Sequence, residues 1–169
     1  VSPATITLAS DYSPDKLTVN NSVINYIFTG GSIIGDTGLL KDGTGSLTLD
    51  NTNAYTGNTS ISGGTLQVGM TGAIPAGPGA GDVSIANGAT LDVNGMGERI
   101  NGLTGAGTVD NTVAAAAVLT VGIDKTNVTF GGTLQNSGGS LTFVKNGTNT
   151  LTLTGTSYHS GSTIIQEGE

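Results

Sequence analysis

His159 is the chain's single histidine, in the run Tyr158-His159-Ser160-Gly161. A Ser–His–Asp relay needs an acid and a nucleophile carried to the imidazole by the fold. The sequence offers no Gly-x-Ser-x-Gly elbow to supply that nucleophile, so His159 reads as a surface-loop residue. Cysteine is absent, which removes thiolate nucleophiles, zinc clusters and disulfides together. The acids Asp36, Asp42, Asp50, Asp82, Asp92, Asp110 and Asp124 are scattered along the chain. A glycosidase would need two of them to meet across one groove. Such grooves usually also gather basic residues, and the chain has only Lys16, Lys41, Arg99, Lys125 and Lys145. The acids therefore read as solvated outward positions. Neither an Asp-x-Asp-x-Asp-Gly loop nor a Gly-Gly-x-Gly-x-Asp calcium pattern occurs. Gly77-Pro78-Gly79-Ala80-Gly81-Asp82 lacks the Lys and Ser or Thr of a phosphate loop and reads as a plain excursion of the chain. The expectation is a protein without catalytic residues, metal ligands or a cofactor.

Composition says what kind of scaffold carries these residues. Of 169 residues 29 are Gly, 36% are hydrophobic, 10% charged and 4% aromatic. Four prolines and no three-residue glycine period exclude collagen. Long amphipathic runs of Leu, Glu, Lys and Ala are missing, which excludes a helical bundle. The apolar fraction is high enough to build a core rather than leave the chain disordered. With a formal charge of −7 and a pI near 4.3, the surface repels nucleic acid and other polyanions. No apolar run approaches the ~18–20 residues that span a bilayer, so membrane insertion is not expected of this segment.

Apolar–polar–apolar triplets recur throughout. Leu17-Thr18-Val19, Leu47-Thr48-Leu49, Leu66-Gln67-Val68, Leu91-Asp92-Val93, Leu119-Thr120-Val121 and Leu151-Thr152-Leu153 are examples. Alternation with period two marks short strands with one wet face, and the Gly-Gly and Asn-Gly pairs between them mark tight turns. Residues 41–65 align with 145–169 at a constant offset of 104, with 11 of 25 positions identical. A fainter echo at Leu66, Leu91, Val109 and Leu134 has spacings of 25, 18 and 25. These match one coil of a right-handed parallel β-helix, ~20–25 residues, so the chain should form about 7–8 coils. We expect an all-β solenoid, residues 1–169 forming a single segment cut from a longer protein. Residues 1–38 are less regular, a possible cap. Leu47, Leu49, Leu66, Val68, Leu91, Val93, Leu151 and Leu153 should point inward, with Thr48, Gln67, Asp92 and Thr152 facing water. The rival is an antiparallel sandwich, and parallel pairing of Leu66 with Leu91, one coil apart, would favour the solenoid over it.

Lys41-Asp42-Gly43-Thr44-Gly45-Ser46-Leu47-Thr48-Leu49 is followed by Asn53-Ala54-Tyr55-Thr56-Gly57-Asn58-Thr59-Ser60-Ile61 and Gly63-Gly64-Thr65-Leu66. The whole resembles the autotransporter-associated β-strand repeat. The second copy, from Lys145, departs from it: Asn149 stands in place of the second Gly, and Tyr158 falls one place early relative to Tyr55. The resemblance implies a large, secreted or surface-exposed protein of a Gram-negative-type bacterium with a β-helical passenger or stalk. The expected role is a non-catalytic structural or adhesive module. Its expected partners are host or environmental glycans or proteins, and adjoining coils of the parent. Two other classes stand beside it, a carbohydrate-binding module attached to a secreted glycan-degrading enzyme and a polysaccharide lyase or hydrolase. Tyr55 and Tyr158, near-equivalent in the two copies, are either rings covering the end of a coil or stacking platforms for sugar rings. They are the candidate ligand-contacting residues.

Overall fold

The computed structural model describes residues 2–123 and 127–168, and its regular structure is entirely strand. In chain order the strands begin with β1 (Ala4–Leu8), β2 (Leu17–Asn20), β3 (Tyr26–Gly30), β4 (Ile34–Gly35), β5 (Leu39–Asp42), β6 (Ser46–Asp50) and β7 (Ala54–Tyr55). Next come β8 (Thr59–Ile61), β9 (Thr65–Val68), β10 (Val83–Ile85), β11 (Thr90–Asp92), β12 (Gly97–Ile100), β13 (Leu103–Gly105) and β14 (Thr108–Asp110). The last are β15 (Ala117–Val121), β16 (Val128–Phe130), β17 (Thr133–Leu134), β18 (Leu141–Lys145), β19 (Leu151–Leu153) and β20 (Thr163–Ile165).

Every strand pairs in parallel with the strand one coil before or after it, which makes the fold a β-solenoid rather than a sandwich. The first face stacks β1-β3-β6-β9-β11-β14-β17, and the second stacks β2-β5-β8-β10-β13-β16-β19. A third face is made of two separate pieces, β4-β7 and β12-β15-β18-β20. The decisive register is present: Leu66 faces Leu47 on one side and Leu91 on the other, and Leu91 faces Val109. The 25, 18, 25 echo is thus the coil length measured along the first face. Strands β1 to β4 join the same sheets as the later coils.

Inward side chains form columns. Leu47, Leu66, Leu91, Val109 and Leu134 run down the first face, and Ile61, Ile85 and Phe130 down the second, all buried. Each coil adds one apolar layer on the last, so burial grows linearly with coil number. The tight corners rest on glycine. Gly43 and Gly147, equivalent in the two repeat copies, have φ of 74° and 79°. A Cβ at either would run into a carbonyl oxygen of the preceding coil, Asn21 or Gly122. Only glycine satisfies both demands.

The two repeat copies lie on different faces: Lys41 is on the second face and Lys145 on the third, while Leu47 is on the first and Leu151 on the second. The repeat unit is a strand–corner–strand piece that works at any corner, so 104 residues advance it by whole coils less one face. Leu151 and Leu153 accordingly stack on Val128 and Phe130, not in the Leu47 column. Leu153 is 43% exposed and Leu151 half-buried, because β19 is the edge of its sheet. Asp92 is buried although it lies on the outer side of the strand. Its carboxylate is covered by the groups it binds, described below.

Candidate functional site

The repeat's lysine is the first polar feature that the coils build. Lys41 is fully buried at the end of β5, and its ammonium donates to the carbonyls of Asp42 (2.8 Å), Gly43 (3.2 Å) and Gly63 (3.2 Å). Lys145 repeats the arrangement, donating to the carbonyls of Asn146 (3.0 Å), Gly147 (2.8 Å) and Glu167 (3.3 Å), with a fourth bond to Asn149 Oδ1 (3.0 Å). Each ammonium therefore ties its own corner to the carbonyl 22 residues on, in the next coil. Burial draws the pKa of both lysines down, and neighbouring Asp42 and Glu167 oppose it. The charge is held by carbonyl dipoles rather than an ion pair, an arrangement sequence reading missed. The signal was present in the Lys-x-Gly common to both copies.

Side-chain amides and carboxylates carry out the same task at other corners. Asn111 donates to the carbonyls of Ala115, Gly139 and Ser140. Asp92 accepts from Gln67 Nε2 (2.9 Å), Thr112 Oγ1 (2.6 Å) and the amides of Asn94 and Thr112. Its neighbour one coil on, Asp110, accepts from Gln135 Nε2 and from the amide and hydroxyl of Ser137. Burial pushes the Asp110 pKa up, but these donors outweigh it and hold the carboxylate below its usual range. The two acids read as solvated are spent on joining coils. Asp124 and Lys125 lie outside the described residues.

Among the described residues a large break in the solenoid surface opens on the third face. The 25-residue coil between Leu66 and Leu91 leaves the sheet after β9, and the Pro75–Ala80 excursion separates β7 from β12. Side chains of the following coil fix it in place. Fully buried Glu98 accepts the amides of Gly72 (3.0 Å) and Ile74 (3.2 Å). Asn101 accepts from the Gly77 amide and donates to the Gly77 and Ala80 carbonyls. Burial lifts the Glu98 pKa to about 7, with the amide bonds pulling the other way. Beside the excursion lies a cleft of about 570 Å³. Its walls include Thr52, Thr71, Ile74, Pro75, Arg99 and Ile123. Sequence reading took Gly77–Asp82 as a plain loop and did not see the cleft. Pro75 and Pro78, two of the chain's four prolines, were the signal available.

The tyrosines separate. Tyr55 is 1% exposed, and its hydroxyl bonds Thr59 Oγ1 at 2.7 Å. Burial raises its pKa. Its ring fills the corner between the third and second faces and offers nothing to a sugar. Tyr158 is 71% exposed. His159 is half-buried, with Nδ1 on Ser157 Oγ (2.6 Å) and Nε2 on Thr163 Oγ1 (3.0 Å). Among the described residues no carboxylate is hydrogen-bonded to that imidazole, so the contact lacks the third member of a relay.

Residues 39–68 and 143–169 match the passenger-associated-transport-repeat family. These are the two stretches built around the lysine corners. The Adhesin BmaC autotransporter of Brucella suis biovar 1 (strain 1330) is 36% identical over 193 residues, covering 95% of this chain. The chain spans 5% of that relative's length. No solved structure matches the chain. A solenoid with lysine corners at both matched stretches, and with that identity along nearly its whole length, carries repeats of the autotransporter passenger repeat family.

Proposed function

We propose that the chain is a non-catalytic, extracellular adhesive stalk module of a Gram-negative bacterial surface protein. The observation that supports it most is the use made of the reactive groups. Lys41, Lys145, Asp92, Asp110 and Glu98 are all buried and hydrogen-bonded between coils or corners, where they stiffen a rod. A hydrolytic site would leave such groups convergent and open to substrate. What faces outward on the second face is instead a row of hydroxyls, Ser60, Ser84, Thr104, Thr129 and Thr152, one per coil. The name of the Brucella relative, an adhesin, agrees with this reading. An appendage of a glycan-degrading enzyme finds no support in either comparison.

The test is attachment. Beads coated with the purified chain should adhere to epithelial cell layers above bare beads, and free chain should compete. Equal adhesion of coated and bare beads would refute the adhesive role. Release of reducing ends or unsaturated sugars from polysaccharides would refute the non-catalytic one.

A further inference from the structure

We infer that the third-face cleft beside Pro75–Ala80 binds an oligosaccharide ending in a single carboxylated sugar, with Arg99 as its carboxylate partner. This deepens the adhesive reading above and rests on it. Arg99 is exposed on β12 and lines the cleft, and its guanidinium has no partner among the described residues. It contrasts with Lys41 and Lys145, whose charges are consumed in carbonyl cages. A free guanidinium presents a planar fork that fits a carboxylate in two parallel bonds.

The rest of the lining favours a sugar over a peptide strand. A peptide adding itself to a sheet edge needs a row of free main-chain groups. Here Glu98 takes the Gly72 and Ile74 amides, Asn101 takes that of Gly77, and Pro75 and Pro78 have none. The Gly72 and Ala73 carbonyls are taken by Asn53, and the Gly77 and Ala80 carbonyls by Asn101. The side chains of the lining offer a ligand the guanidinium, the exposed hydroxyls of Thr52 and Thr71, and the C–H surfaces of Pro75 and half-buried Ile123. Hydroxyls to meet hydroxyls, an apolar ledge and one cation describe a saccharide site. A volume of about 570 Å³ falls in the range of small-ligand pockets, ~300–1,000 Å³. The bonds from Glu98 and Asn101 hold the loop before any ligand arrives, which limits the ordering cost of binding. The net charge of −7 restricts the ligand further: a polyuronate is repelled as a whole, whereas one terminal carboxylate meets Arg99 locally.

The experiment is titration of the 169-residue chain with sialyllactose, lactose and polygalacturonate, read by calorimetry and by NMR shifts. Sialyllactose should bind saturably and more weakly as salt rises, while lactose and polygalacturonate should bind at least ten-fold more weakly. Arg99→Gln should reduce sialyllactose affinity at least ten-fold with an unchanged β circular-dichroism spectrum, and Arg99→Lys should recover part of it. Absence of saturable sialyllactose binding, equal binding of lactose, or full affinity in Arg99→Gln would each overturn the proposal. Bead attachment that persists in Arg99→Gln, beside lost sialyllactose binding, would keep the site and show attachment to run through another surface. Bead attachment without any sialyllactose binding would refute the site alone.

Discussion

Replacing Lys41 by methionine isolates the corner staple from the packing around it. Methionine keeps an unbranched apolar stem of nearly the same reach, so the inward column is not emptied. What disappears is the ammonium and its bonds to the carbonyls of Asp42, Gly43 and Gly63, at 2.8, 3.2 and 3.2 Å. Charge-assisted bonds contribute ~1.5–3 kcal/mol each, and carbonyls left buried without a donor add a desolvation cost. Against this, the ammonium no longer has to be stripped of water, a penalty of several kcal/mol per buried ion. The balance is a loss of about 2–4 kcal/mol, well above a surface substitution. Because Gly63 lies one coil beyond Lys41, the damage should appear as faster amide exchange at residues 42–45 and 62–65. Distant coils should be nearly unaffected, since solenoid coils couple mainly to their neighbours. Lys145→Met should copy the effect around 146–149 and 166–168. Urea unfolding followed by circular dichroism, with site-resolved hydrogen exchange, reads both numbers. A Lys41→Met chain as stable as the parent, or one loosened uniformly along its length, would refute the staple.

Leu66→Ala should cost about 2–5 kcal/mol through a cavity in the first-face column, whereas Thr48→Ala loses one hydroxyl bond to Gln67 and should cost at most about 1 kcal/mol; comparable losses in urea melts would mean the faces are misassigned. Glu98 holds its proton in the folded state up to about pH 7 but only to about 4.5 when unfolded, so its contribution to stability falls as pH rises through that window, by roughly 3 kcal/mol. Glu98→Gln should flatten that slope in melts at successive pH values, and an unchanged slope would count against the buried carboxyl. Asp110 runs the other way: its pKa is lowered on folding, so the stabilisation present above the ordinary 3.8 is lost as pH falls through the lower folded value. Asp110→Asn should therefore make acid unfolding shallower, which an acid titration followed by circular dichroism would check.

Most of the fold was legible in the sequence because a solenoid writes its coil length into the chain. The spacings of Leu66, Leu91, Val109 and Leu134 are the register itself, and a parallel pairing has no other way to satisfy them. What the repeat did not disclose is the face it lands on. A lysine corner fits wherever two strands meet at a glycine with positive φ, so Lys41 and Lys145 are equivalent locally and sit on different faces. Local sequence fixes the corner, and only the sum of all coil lengths fixes the rotation about the rod.

The misreading of Asp92 has a physical cause. Period-two alternation separates inward from outward positions on a flat strand, and it assigned Asp92 to water by that rule. At the corners the rule fails, because the chain must satisfy carbonyls and amides that no ladder pairs. Asp92, Asn111, Glu98 and Lys41 are placed there to do so, and their exposure is near zero for that reason. Tyr55 belongs with them, its ring folded under a corner and its hydroxyl spent on Thr59. A polar or aromatic residue in this chain is thus freer to meet a partner the further it stands from a corner and the less its coil needs it. Arg99 meets that criterion: mid-strand, outward and without a partner among the described residues, beside the Pro75–Ala80 excursion and its cleft.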